Sequence, residues 1–132
     1  MIVLKEVNQE ILEFLYNLNI HPDIRAVSHN KESFTYEEHC LWWQEKMLND
    51  KEFEAALILN DSKPVGCIRR KNKEVSIAIM PEYQNKGLGT TAIEKFCKVG
   101  DKVEILIGNV RSIKVFERAG FKKKFLTLER GE

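Results

Sequence analysis

Residues 76–90 constrain this chain most. Ser76-Ile77-Ala78-Ile79-Met80 reads as a strand, Pro81 stops it, and the polar loop Glu82-Tyr83-Gln84-Asn85-Lys86 runs into Gly87-Leu88-Gly89-Thr90, where a helical pattern begins. A strand that passes through glycines into a helix leaves unbonded backbone N–H groups and the positive end of the helix dipole pointing at one spot. The glycines let an anion approach the backbone without side-chain obstruction. An ordinary strand-to-helix turn is the alternative reading of the spacing.

Two phosphate-binding patterns fail here. The P-loop needs GxxxxGK[ST], but Lys86 precedes its glycine and no Gly-Lys-Thr follows. A GxGxx[GA] pattern does occur at Gly87, Gly89 and Ala92. However, residues 81–86 separate it from the strand where a dinucleotide fold demands a tight turn, and too little chain follows for a second nucleotide-binding half.

The rest of the chain gives a consistent order of elements. Residues 2–7 read as a strand, Asn8 as the cap of a helix carrying Ile11, Leu12, Leu15, Tyr16 and Leu18, and His21-Pro22-Asp23 as its break. Thr35 and Glu38 fit a capping box for a helix over 36–48. Three strands, 53–59, 64–70 and 75–80, are separated by turn-forming residues and form a meander. A helix over 87–99 ended by Gly100, a strand over 103–107, a helix from Asn109 to Ala119 and a strand over 121–128 complete the order βααβββαβαβ. This predicts an α/β (α+β) domain over 1–132 with a mixed, mostly antiparallel sheet. The length of 132 residues suits one domain, and no apolar run approaches the roughly 20 residues of a membrane span. Three cysteines without a CxxC pair and no signal-like N-terminus point to the cytoplasm. No metal-ligand spacing is present, and a net charge of +1 offers no field for nucleic acid. The charge is uneven: residues 1–85 carry 10 Lys/Arg against 14 Asp/Glu, and residues 86–132 carry 11 against 6. A basic last third suits a small polyanion or a solvated surface.

Gln84-Asn85-Lys86-Gly87-Leu88-Gly89 resembles the acetyl-CoA-binding motif of the GNAT family of N-acetyltransferases, Q/R-x-x-G-x-G/A. Asn109, Ser112 and Phe116-Glu117-Arg118-Ala119-Gly120-Phe121 are similar to that family's N-x-x-A-x-x-x-Y-x-x-x-G-F. The resemblance spans the chain and implies the GNAT fold, with splayed central strands, and acetyl-CoA as cosubstrate. It places the pyrophosphate on the amides of residues 84–90 (Gln84, Asn85, Lys86, Gly87, Leu88, Gly89, Thr90), and the pantetheine along Ile79 and Met80. An amide near Ile79 then faces the thioester oxygen, with Asn109, Ser112 and Phe116 along the arm. Phe116 stands where many members have a tyrosine that protonates the thiolate. Glu104 is the preferred general base; a water chain, Glu37, Glu38 or His39 are alternatives.

The region 21–43 is similar to the subgroup that acetylates nucleotide-linked amino sugars, through Arg25, His39, Trp42 and, further on, Arg69. That similarity implies a diphosphate clamp by Arg25 and Arg69 and stacking on Trp42. Trp42, Trp43 and Met47 also recur at core spacing, and Arg69 also suits a solvated hairpin. A polyamine or protein N-terminus as acceptor, and a coenzyme-binding sensor without turnover, remain open, as do monomer and homodimer.

Overall fold

A computed structural model describes residues 1–28 and 32–131. Strands β1 (Ile2–Glu6), β2 (Phe53–Asn60), β3 (Lys63–Lys71) and β4 (Glu74–Ile79) form one antiparallel sheet in the order β1-β2-β3-β4. The meander is set by its turns. Asp61 and Ser62 have φ of 50° and 69°, and Asn72 and Lys73 have 52° and 67°. Paired positive φ values are the turn geometry that matches strand twist, so each two-residue link returns the chain directly alongside itself.

Helices α1 (Leu12–Ile20), α2 (Pro22–Ala26) and α3 (Tyr36–Asn49) cover one face, burying Leu15, Leu18, Ile24 and Trp43 against Leu57 and Cys67. Helices α4 (Leu88–Phe96) and α5 (Val110–Arg118) bring Ala92, Ile93 and Phe116 against Ala56, Ile58, Ile68 and Val75 on the other face. The strands thus divide their residues by the two-residue period of the pleat. Thr35 and Glu38 make the expected capping box of α3, at 2.9 and 3.1 Å. Among the described residues, no helix is long and apolar enough to cross a membrane, and no group of three or more His, Cys, Asp or Glu is placed to hold a metal.

Four elements depart from the sequence reading. His21-Pro22-Asp23 starts α2 rather than a loop: Pro22 occupies the first helical position and His21 Nδ1 accepts the Asp23 N–H at 3.1 Å. Helix α4 ends at Phe96, not 99, and Gly100 (φ +96°) belongs to the turn that follows. The strand expected over 103–107 is reduced to one parallel bridge, Glu74–Lys102. Val103 and Ile105 pack on the α4–α5 side, but the backbone parts from β4. The strand expected over 121–128 also does not form. Its consecutive like charges, Lys122-Lys123-Lys124, disfavour pairing at a sheet edge.

Candidate active site

The outer edge of β4 organises the site. Met80 donates its N–H to Val65 O at 2.8 Å, toward β3, whereas Val75 donates to Lys102 O at 2.8 Å, away from it. In an antiparallel pair this direction alternates strictly, so Ile77 and Ile79 share the outward orientation of Val75. The parallel partner is lost after Lys102, so the Ile79 N–H faces a cleft instead of a neighbouring strand. Gly66 fixes the approach from behind: a Cβ there would stand 2.3 Å from Ala78 O and 2.9 Å from Ile79 Cδ1.

The Ile79 carbonyl is already engaged. Gln84 Nε2 donates to it at 2.9 Å, and Arg111 donates to Gln84 Oε1. The Gln84 amide donates to Pro81 O at 3.2 Å. Gln84 therefore acts as a brace for the strand end rather than as the first amide of an anion cradle, and the Met80 amide is likewise spent inside the sheet. The open amides begin beyond them. Asn85 (φ +63°) and Gly87 (φ +77°) turn the chain left-handed into α4, with Gly87 as its cap. Thr91 donates to Gly87 O at 3.2 Å, which leaves Leu88, Gly89 and Thr90 in the first turn without intrahelical acceptors. A Cβ on Gly89 would lie 3.3 Å from Val115 Cγ1 and 4.0 Å from Ile79 Cγ1, so α4, α5 and β4 converge there.

These groups line one cleft of about 990 Å³. Its α5 wall carries Arg111, Lys114 and Arg118, which the sequence reading did not single out although their i, i+3, i+7 spacing puts them on one helix face. Lys86 sits over the Tyr83 ring at 5.6 Å, at the mouth of the same loop. Asn109 caps α5: its Oδ1 accepts the Ser112 N–H at 3.3 Å and its Nδ2 donates to Ser112 Oγ at 3.1 Å. Phe116 lines the cleft but is buried edge-to-face on Phe121, with centroids 5.0 Å apart. Asp23 and Ile24 of α2, and Val27 just after it, also line the cleft and were likewise unforeseen.

A second cleft of about 360 Å³ opens further along β4 and brings together Trp42, Arg69, Ser76 and Glu104. Arg69 Nε donates to Ser76 Oγ at 2.9 Å and its guanidinium lies 4.9 Å from the Trp42 ring. Burial holds the Arg69 pKa below the usual arginine value. Among the described residues, Arg69 takes part in no ion pair, whereas its neighbour Arg70 meets both Glu54 and Asp101. Glu104 opens on this second cleft, on the side away from Val103 and Ile105. Ser76 and Ile79 are three residues apart, about 10 Å of strand at roughly 3.3 Å per residue, and Glu104 lines the cleft at the Ser76 end.

Two positions do not join either cleft. Arg25 turns to the segment after α2, donating to Glu32 O at 3.5 Å and Ser28 Oγ at 3.4 Å, with its guanidinium over Phe34. Its charge nevertheless reaches Arg69, whose pKa it helps to lower. His39 is 4% exposed, its Nε2 2.9 Å from Leu12 O and its ring stacked on Phe34. Desolvation lowers its pKa, so it is a neutral core residue rather than a substrate contact. Glu38 is committed to the capping box.

Residues 12–121 match the model of the acetyltransferase (GNAT) family. An uncharacterized protein of Methanocaldococcus jannaschii, MJ1062, is 28% identical over 139 residues; the match takes in 92% of this chain and 28% of the relative, so the chain spans little more than a quarter of that protein. A solved domain from Methanocaldococcus jannaschii superposes with a TM-score of 0.76 at 25% identity, over 94% of this chain and 90% of that one. The spermidine N-acetyltransferase of Vibrio cholerae, solved with CoA and spermine, superposes with a TM-score of 0.81 over 94% and 82% of the two chains; at 18% identity it shares the fold.

Proposed function

Because the chain belongs to the acetyltransferase (GNAT) family, we propose that it transfers an acetyl group from acetyl-CoA to a primary amine, on a nucleotide-linked amino sugar. One observation carries the coenzyme part: the outward Ile79 N–H and the first-turn amides of α4 open into the same 990 Å³ cleft. The residues present fit the coenzyme. Left-handed Gly87 and crowded Gly89 bare the backbone where a diphosphate would rest, and Arg111, Lys114 and Arg118 supply cations along the adjoining wall.

Acetyl-CoA supplies the activated thioester. The Ile79 N–H is the donor for the carbonyl oxygen as negative charge develops on it. The amine nitrogen forms the new C–N bond, the C–S bond breaks, and the sulfur leaves with its electron pair. A lysine-like amine is mostly protonated at neutral pH, so a proton must be removed before attack. Glu104 is the proposed acceptor of that proton; its place in the neighbouring cleft requires a water relay along the β4 edge. Phe116 has no proton to give, so solvent protonates the departing thiolate.

The sugar-nucleotide acceptor rests on Arg69, a guanidinium in no ion pair among the described residues, beside the half-exposed Trp42 ring. A polyamine is the second reading, favoured by the likeness to the Vibrio cholerae fold solved with spermine and by the Asp23 carboxylate in the larger cleft. The replacement of a tyrosine by Phe116 favours a third, a sensor that binds coenzyme without turnover. A thermal-shift measurement with acetyl-CoA, followed by thiol release with UDP-linked amino sugars and with spermidine, tests all three. Coenzyme at about 100 times its Kd should add roughly 2.7 kcal/mol of stability. No shift with acetyl-CoA removes every reading; a shift without thiol release favours the sensor.

A further inference from the structure

Arg70 is a buried cation that lines neither cleft. It lies on β3 between Glu54 of β2 and Val75 of β4, two residues on from buried Ile68, and so faces the α4–α5 side of the sheet. Its Nε donates to Asp101 Oδ2 at 2.9 Å and its Nη2 to Phe96 O at 2.8 Å, with the guanidinium 4.5 Å from the centre of the Phe96 ring. Phe96 ends α4, so its carbonyl has no partner within the helix and stands at the negative end of the helix dipole. Asp101 also accepts the Lys98 N–H at 2.8 Å and closes the turn after α4. The next residue, Lys102, donates to Lys73 O at 2.7 Å and accepts the Val75 N–H at 2.8 Å, at the one bridge from which the chain then parts from β4. One guanidinium therefore holds both the end of α4 and the point where the β4 edge comes free.

We propose that Arg70, paired with Asp101, is a positioning residue for the coenzyme: by anchoring the far end of α4 to β3 it sets the gap between the first-turn amides of α4 and the Ile79 N–H. This rests on the coenzyme occupying that gap. From Leu88 to Phe96 the helix is roughly 12 Å long at 1.5 Å per residue, with Ala92 and Ile93 fully buried at its middle. A helix this short moves as one piece, so a shift at Phe96 is carried to Leu88, Gly89 and Thr90. A lysine at position 70 keeps the charge but lacks the planar fork that joins Asp101 to the Phe96 carbonyl. Glu54 meets Nη1 at 3.1 Å from the neighbouring strand β2, so its removal leaves the link to α4 in place. The coupling is reciprocal: a coenzyme bound at the first turn steadies the Phe96 end in return.

The test compares wild type with Arg70→Lys and with Glu54→Gln as the control. Calorimetry gives the acetyl-CoA Kd of each folded protein, and amide NMR of the free proteins locates the change. Arg70→Lys should weaken coenzyme binding about fivefold or more, the lower end of typical coupling between sites, and should shift the Leu88, Gly89 and Thr90 amides. Glu54→Gln should stay within about twofold of wild type, as an exposed ion pair contributes little. Wild type alone supplies a second readout, which holds even where Arg70→Lys does not fold. Saturating acetyl-CoA should slow hydrogen exchange at the Cys97 and Lys102 amides, bonded to Ile93 O and Lys73 O at the anchored end, more than at the His39 amide on the opposite face. A folded Arg70→Lys protein with wild-type Kd or with unmoved amides at 88–90 overturns the assignment, because a merely structural ion pair would lower stability and leave both alone. Exchange at Cys97 and Lys102 that the coenzyme slows no more than at His39 overturns it as well. Absence of coenzyme binding in the wild type would instead overturn the functional reading beneath it.

Discussion

Gln84 Nε2 donates to the Ile79 carbonyl at 2.9 Å, and this single contact bends a loop side chain back onto the end of β4. It satisfies an acceptor that a continued parallel ladder would have used, and so holds open the edge on which the Ile79 N–H is presented. Arg111 on α5 completes the brace through Gln84 Oε1. Gln84→Ala should therefore keep the fold but weaken acetyl-CoA binding about fivefold, the effect of one net hydrogen bond of roughly 1 kcal/mol. Calorimetry on the folded variant checks this, and an unchanged Kd would mean that the brace does not shape the cleft.

Gly89 is the sharper steric probe. A Cβ there already stands 3.3 Å from Val115 Cγ1, and a longer side chain has the cleft as its outlet. Gly89→Trp should abolish detectable coenzyme binding while the far-ultraviolet dichroism stays native. Retained affinity would count against the α4 amides as the anion site.

Gly66 reports on the strand rather than on the ligand. The 2.3 Å separation between its built Cβ and Ala78 O cannot be relieved by a side-chain rotation, so Gly66→Ala must displace β4. Overpacking of this kind costs about 1–3 kcal/mol. Denaturant unfolding should show that loss, together with weaker acetyl-CoA binding, because Ile79 moves with the strand.

The buried ion pair beneath the turn after α4 should matter more for stability than its exposed companion. Asp101 accepts from Arg70 Nε at 2.9 Å and from the Lys98 N–H at 2.8 Å, and its side chain is 4% exposed. Glu54, the other partner of Arg70, is 57% exposed. Removing one member of a buried pair leaves an uncompensated charge, so Asp101→Asn should cost about 3–5 kcal/mol. Glu54→Gln should cost less than about 1 kcal/mol. Equal losses in the two variants, measured by urea unfolding, would show that the pair does not behave as buried.

His39 sets a stability window in mild acid. Desolvation lowers its folded-state pKa below 6.5, and the Arg69 charge lowers it further, against a raising contribution from the Leu12 carbonyl. The folded state then binds fewer protons than the unfolded chain. The His39 contribution is fully present above about pH 6.5 and is lost as pH falls through that value toward the folded pKa. Unfolding free energy should decline from pH 7 to 5.5, and His39→Gln should flatten that decline. A decline of the same slope in the variant would assign it to other groups.

Much of this was readable from residue order, and the failures have physical causes. The Thr35–Glu38 capping box and the two-residue turns at Asp61-Ser62 and Asn72-Lys73 are local chemistry, complete within a few residues, and they fold as written. The glycine loop was legible because left-handed Gly87 and a bare helix start need few other partners. Helix α2 was missed because His21-Pro22 reads as a breaker; in context the proline opens a helix and the histidine caps it. Residues 103–107 have the apolar alternation of a strand, but alternation cannot say whether a facing edge remains available. Trp42 and His39 show the same limit. The buried pair on α3 is His39 with Trp43, four residues apart, and Trp42 is left 38% exposed beside Arg69. Sequence spacing marked the cluster without telling which members face the core.

The most direct measurement is an amide NMR titration of the protein with acetyl-CoA. If the open edge of β4 and the first turn of α4 grip the coenzyme, the largest shifts fall on Ile79, Leu88, Gly89 and Thr90, with Met80 much less affected because its N–H is held by Val65. Saturable binding that leaves Ile79 and residues 88–90 unmoved while other amides shift would contradict it.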